Sequence, residues 1–243
     1  MITNASLTGQ TVRAASIKTA QDHLHVEVAG YKVTSEMIFN VLFKAASERI
    51  SIEAACQDLT SVADSNSIRE QLNDCVGIEQ LRDAEGEMNA ALAANLPDWL
   101  RLHGLEAAID THDEPFYGKS EVLRKYCCGS AAKAGTTHFF RIATAYVMYR
   151  QVRFTLALTY VTPEDSTVAV VQRLYAQLQR LQLTLRLLYL DRGFCQGAVI
   201  RYLTDQRQPA ILACTIRGKQ GGTRRLCRGR KSYRTRYTFT DGT

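Results

Sequence analysis

LRLLYLDRGF, residues 185–194, is a short apolar run that ends abruptly in Asp191, Arg192 and Gly193. Six residues of this kind bounded by turn signals read as a buried strand. A carboxylate at the tip of such a strand is either a salt-bridged loop residue or one arm of a metal site. The flanking sequence has to decide between the two.

Upstream, Thr162 reads as a helix cap, Pro163 as the first helical residue, and Glu164-Asp165 as negative charge in the first turn. The apolar stripe of that helix is Val168, Val171, Leu174, Tyr175, Leu178 and Leu181. Downstream, QGAVIRYLTDQ reads as a helix and PAILACTI as a strand. Before these come two extended segments, HFFRIATAYVMY and VRFTLALTYV, joined by Arg150-Gln151 as a hairpin. In the second, Val152, Phe154, Leu156, Leu158 and Tyr160 alternate and are expected on one face. A strand, LEAAID, precedes the hairpin and also ends in an aspartate, Asp110. A helical crossover into a later strand makes it parallel to one already present.

If those two strands are neighbours, their tips lie roughly 5 Å apart. Two carboxylates that close repel unless a cation lies between them. A hard divalent ion with oxygen ligands resolves the conflict. Asp113 and Glu114 are expected in a rim loop, and His112 is a poor ligand for such an ion. Arg192 either holds a phosphate or salt-bridges its own loop.

The chain has 243 residues with a net charge of +6, and the charge is segregated. Residues 171–243 hold 15 Lys+Arg against 3 Asp, a net +12, whereas residues 1–170 hold 15 against 21 acids, a net −6. Nine cations, Arg217, Lys219, Arg224, Arg225, Arg228, Arg230, Lys231, Arg234 and Arg236, fall in one stretch without an acid. That is the footprint of a polyanion partner, with Tyr233 and Tyr237 as stacking platforms, or else a solvated tail. Residues 233–237 alternate as a strand would. Seven cysteines form no C-x-x-C pair, so neither a zinc ribbon nor a disulfide framework is expected. No apolar run is long enough to span a membrane, and the first residues lack a signal-peptide pattern, so a cytoplasmic location is expected.

Residues 1–33 give no clear pattern, HLHVEVAG being at most a short strand. Residues 34–99 read as four helices, capped at Thr34 or Ser35, at Ser51 and at Ser65 or Asn66, with a longer one over GIEQLRDAEGEMNAALAANL. The second and third have helix-turn-helix dimensions, but the third carries a single cation, Arg69, so a plain bundle is the alternative.

IDTHDEPFYGK (109–119), GTTHFFRIATAYV (135–147), FTLALTYV (154–161), LLYLDRGF (187–194), IRYL (200–203) and IRGKQGGTR with RGRKSY (216–224 and 228–233) together resemble a DDE transposase of the insertion-sequence type. The resemblance covers roughly residues 100–243. It implies an α/β fold: a ribonuclease-H-like mixed sheet with flanking helices, preceded by a helical domain and followed by a basic β-insertion. The expected division is 1–33 extension, 34–99 helical domain, 100–208 core, and 209–243 the start of the insertion. The resemblance also implies cleavage at element ends and strand transfer with Mg2+ or Mn2+, on double-stranded DNA at transposon ends and target, by a homodimer. Asp110 and Asp191 match the first two catalytic acids. The third, a Glu on a helix after the insertion, has no match, because no Glu follows Glu164 and the later acids Asp205 and Asp241 do not fit. The expectation is an N-terminal fragment with weak metal binding, little turnover and an uncovered sheet face. Two other readings stay open: a non-catalytic DNA-binding repressor derived from a transposase, and a ribonuclease-H-like nuclease unrelated to mobility.

Overall fold

The computed structural model describes residues 8–216, 218, 219, 222–227, 229 and 233–239. The chain divides into two compact units, Met1–Asn95 and Leu96–Thr243.

The first unit is helical: α1 (Gly9–His23), α2 (Ser35–Glu48), α3 (Ile52–Asp58), α4 (Ser65–Cys75) and α5 (Leu81–Ala94). Thr34 and Ser51 cap α2 and α3 by accepting the amides of Met37 and Ala54. α4 is capped one residue earlier than the sequence led us to expect, by Asp64, whose carboxylate takes two amides, those of Asn66 and Ser67. Val33, Ile38, Val41, Ala55 and Ile68 form its main core, and Phe39 packs with Ile17 and Ala20 of α1. HLHVEVAG is not a strand. Two of its backbone donors go to side chains instead, His25 to Glu87 and Ala29 to Gln71, while Val26 and Val28 pack on the core. Through Asn95 the unit holds seven Lys+Arg against thirteen acids, a net −6. The one cation of α4, Arg69, lies 3.8 Å from Glu53.

The second unit is built on a sheet: β1 (Gly104–Pro115), β2 (Cys128–Lys133), β3 (Thr136–Tyr149), β4 (Val152–Val161), β5 (Thr184–Leu190) and β6 (Ala210–Leu212). A one-turn α6 (Glu121–Arg124) precedes β2, α7 (Thr167–Arg180) joins β4 to β5, and α8 (Gly197–Asp205) joins β5 to β6. β1 lies between β3 and β5, antiparallel to the first and parallel to the second; β6 continues the parallel side, and β2 and β4 both pair with β3. This is the ribonuclease-H-like mixed sheet with flanking helices. Its core packs Leu105, Ala107, Ile109, Leu188 and Leu190 of the sheet under Val171, Leu174 and Leu178 of α7 and Val199 and Leu203 of α8. On the sheet's second face Met148, Tyr189 and Ile211 stand exposed.

Four local expectations are corrected. The helix before β5 starts at Thr167 under a Ser166 cap, not at Thr162. The Asp165 carboxylate instead folds back onto the amide and hydroxyl of Thr162, which closes a turn there. The alternation in β4 breaks at a bulge: Ala145 pairs with Ala157 but Tyr146 with Thr155. Ala157 and Thr159 therefore carry on the buried face and Leu158 and Tyr160 do not. β1 does not end at Asp110; it runs on to Pro115 beside β3 alone, a polar ribbon that no core face selects. Finally, among the described residues no strand follows β6, although residues 233–237 alternate; no described strand lies there to pair with them.

Candidate metal and DNA site

β1 and β5 pair in register from Ala107↔Leu188 to Ile109↔Leu190. The next residue on each strand is an aspartate, Asp110 and Asp191. Neighbouring strands lie about 4.8 Å apart, so each strand carries an aspartate to an adjacent backbone position where the parallel pairing stops. Both residues are exposed. Each spends one oxygen on the amide of the following residue: Asp110 Oδ1 accepts from Thr111 at 2.8 Å, and Asp191 Oδ1 accepts from Arg192. That second bond caps the short 3-10 turn Arg192–Phe194, whose Phe194 is buried in the core and anchors the turn. The local sequence thus fixes both acids through backbone, not through ion pairs.

The other acids of this segment are committed elsewhere. Asp113 sits directly across from Arg141 on β3 and receives two bonds from its guanidinium, at 2.7 and 3.2 Å. Arg141 holds the Asp113 carboxyl below the usual carboxylate range, against the opposing effect of burial. His112 pairs with Glu114 at 2.6 Å. Both acids lie in the β1 ribbon and not in a rim loop. Four residues before Asp110 on the same strand, Glu106 accepts from Tyr189 and Arg186 of β5.

A cavity of about 360 Å³ opens beside Asp191. Thr111, Cys128, Arg141, Thr162 and Asp165 are among its walls. Burial pushes the Cys128 thiol up, and its Sγ–H donates to Val161 O at 3.3 Å, so it is a packed thiol and not a nucleophile. Arg173 of α7 binds the Asp165 carboxylate at 2.6 Å, Thr159 Oγ1 at 2.8 Å and Tyr160 O at 3.0 Å. Burial alone would raise Asp165, but Arg173 and Thr162 outweigh it and hold the carboxyl at about 2. Sequence reasoning missed Arg141 and Arg173. Arg141 would have been found by extending β1 through THDEP and aligning it antiparallel to β3, which sets opposite charges face to face.

Arg192 is exposed at the start of its turn, next to Asp191. Lys219, Arg224, Arg225, Arg234 and Arg236 are exposed as well. Arg224 Nε donates to Gly218 O at 2.6 Å, and the Tyr233 hydroxyl donates to Leu226 O. Arg217, Arg228, Arg230 and Lys231 lie outside the described residues, as does Asp241. Among the described residues no group of three His, Cys, Asp or Glu side chains stands close enough to share a metal ion.

No family model matches this sequence, and no curated protein matches it. Among solved structures the chain is similar to a piggyBac transposase in a synaptic complex with hairpin DNA. The TM-score is 0.52 at 13% identity, covering 91% of this chain and 52% of that one. It also matches a Drosophila P element transposase in a strand transfer complex, at a TM-score of 0.38 and 9% identity over 81% of this chain and 41% of that one. A Mos1 strand transfer complex matches at 0.26 and 12%, over 85% and 67%. This chain therefore has the fold of a transposase structure and spans about half the length of the piggyBac chain. No helix among the described residues is long and apolar enough to cross a membrane.

Proposed function

We propose that this chain is a transposase-type module that binds double-stranded DNA at element ends and target, with Asp110 and Asp191 as its metal-binding carboxylates. The observation that supports this reading is the last parallel rung, Ile109↔Leu190, which is followed on each strand by an aspartate. The donor set fits a hard divalent ion: carboxylate oxygens only, each already oriented by a backbone amide. Mg2+ or Mn2+ held there would supply the Lewis acidity for phosphodiester cleavage and strand transfer. Arg192 stands beside Asp191 to take a phosphate, and the exposed cations from Lys219 to Arg236 follow the DNA backbone. A homodimer holding two DNA ends belongs to the same proposal.

Two carboxylates are one fewer than the resemblance requires. We assign these 243 residues DNA and metal binding with little or no turnover of their own, because no third acid joins the two among the described residues. A second reading, a DNA-binding repressor of transposition, draws on the net +12 of residues 171–243. The discriminating experiment is Mg2+-dependent nicking of duplex DNA carrying candidate ends, with and without a longer chain that supplies an acid in trans. Restored nicking that is abolished by Asp110→Ala with Asp191→Ala supports the enzyme. Tight duplex binding with no nicking under any supplementation supports the repressor. Nicking that survives the double substitution rules out the carboxylate pair.

A further inference from the structure

At the end of β1 away from Asp110, four rings and a guanidinium surround a cavity of about 420 Å³. Trp99 lies in the 3-10 turn Asp98–Leu102 that leads into β1. Its ring centroid is 4.4 Å from that of Tyr149, tilted by 41°, and 5.7 Å from Phe154, nearly edge-on. His103 stacks on Tyr149 at 6.2 Å and 17°. The Arg150 guanidinium stands over the Tyr149 ring, 5.3 Å from its centre. Trp99 and Phe154 rest their inner edges on the core, whereas His103, Arg150 and Val152 are exposed. The cluster is therefore a rim with an open side and not a sealed interior.

The turn that presents Arg150 is an unfavourable one. Tyr149 pairs with Val152, so Arg150 and Gln151 form a two-residue hairpin loop, and both take left-handed backbone, φ 48° and 66°. Such loops favour Asn-Gly, because most side chains are strained there. Left-handed non-glycine residues of this kind concentrate at ligand clamps.

We propose that this cavity stacks a nucleobase of unpaired DNA, with Arg150 at its rim to meet the phosphate. Aromatic faces take any base, and an arginine beside them adds both stacking and charge. A cage for a quaternary ammonium is disfavoured, since a guanidinium already covers one ring and repels a second cation. The nearby acid, Asp98, is engaged with Arg101 at 2.7 Å. Asp110 lies six residue steps along β1 from Gly104, roughly 20 Å of strand, so this is a second site and not an extension of the proposed carboxylate pair. It shares with the reading above only the class of ligand.

Trp99 is the single tryptophan of the chain, so its fluorescence reports this cavity alone. The whole chain is titrated with a short oligothymidine, with a blunt duplex and with a trimethyl-lysine peptide. Saturable quenching by the oligothymidine, weaker with the duplex, is expected. Tyr149→Ala and Arg150→Gly should each weaken it at least about fivefold, and Asp110→Ala should leave it unchanged. Arg150→Gly also relieves the left-handed backbone, so its thermal midpoint should not fall, which separates lost binding from lost folding. Absence of quenching, equal quenching by the duplex, no response to Arg150→Gly, or quenching by the peptide in place of the oligonucleotide overturns the proposal. Loss of duplex binding with oligothymidine quenching retained would count against the transposase reading and leave this site standing.

Discussion

Ile109 and Leu190 form the last parallel rung between β1 and β5, and an aspartate follows each of them directly. Both rung residues are buried, and both aspartates are exposed. Core packing therefore sets the backbone positions of both aspartates, while their carboxylates stay exposed and engage only the amide of the following residue.

That division of labour predicts a separation of effects. Asp191→Asn should weaken Mn2+ binding, measured by calorimetry or by the spin resonance of free Mn2+, by about tenfold or more. The same substitution should change folding stability by no more than about 0.5 kcal/mol, as at other exposed sites. Unchanged metal affinity would remove Asp191 from the site.

Ile109→Ala should behave in the opposite way. Ile109 is 2% exposed and packs in the main core of the second unit, so truncation should cost about 2–5 kcal/mol. Urea unfolding checks this. Metal binding should weaken in parallel, because the rung that sets the register loosens.

DNA binding should depend steeply on salt. Six or more phosphate contacts would weaken the affinity on the order of a thousandfold between about 50 and 200 mM salt. Arg234→Gln with Arg236→Gln should lower the slope of log affinity against log salt by about 2. Filter binding across a salt series measures it, and a flat response would show that the basic stretch is not the interface.

Asp165 supplies an acid-sensitive anchor. Its folded carboxyl sits at about 2, below the 3.8 of the free side chain, so it stabilises the fold fully above pH 3.8. That contribution, about 2 kcal/mol, is lost as the pH falls from about 4 to about 2. Asp165→Asn should flatten the stability curve in that window. Arg173→Met should destabilise more at neutral pH, because it leaves a mostly buried carboxylate without its strongest partner.

Much of this was legible in the residues. The α7 stripe of Val171, Leu174 and Leu178 and the β5 run are periodic because one face is buried, and the pattern therefore survives in the sequence. The cap at Ser51 was equally plain, and Thr34 was one of two hydroxyls read as a cap, since a hydroxyl before an apolar run has few other uses. Where tertiary context overrides the local signal, the reading failed. Thr162-Pro163-Glu164-Asp165 has the composition of a helix start, yet Asp165 is drawn into a turn by Arg173. The β4 bulge shifts Thr159 inward, where Arg173 satisfies its hydroxyl, a pairing that no alternation rule contains. β2, CGSAAK, and α1 offered too few apolar residues to register as elements. The parallel neighbourhood of the two strands that carry Asp110 and Asp191 was legible, because a helical crossover joins them; the Asp113–Arg141 pair was not, because its strand looked like a loop.

The strand order also bears on when the proposed carboxylate pair would come into being. β1 leaves the ribosome early, but its partner β5 arrives only after β2, β3, β4 and α7, with 80 residues between Asp110 and Asp191. A growing chain that stops at β4 can form the antiparallel hairpins, which are local and fast, yet it holds one acid and no rung to set it. Cation affinity should accordingly appear in a single step during synthesis, once α7 has carried the chain back across the sheet and the distant strand has docked.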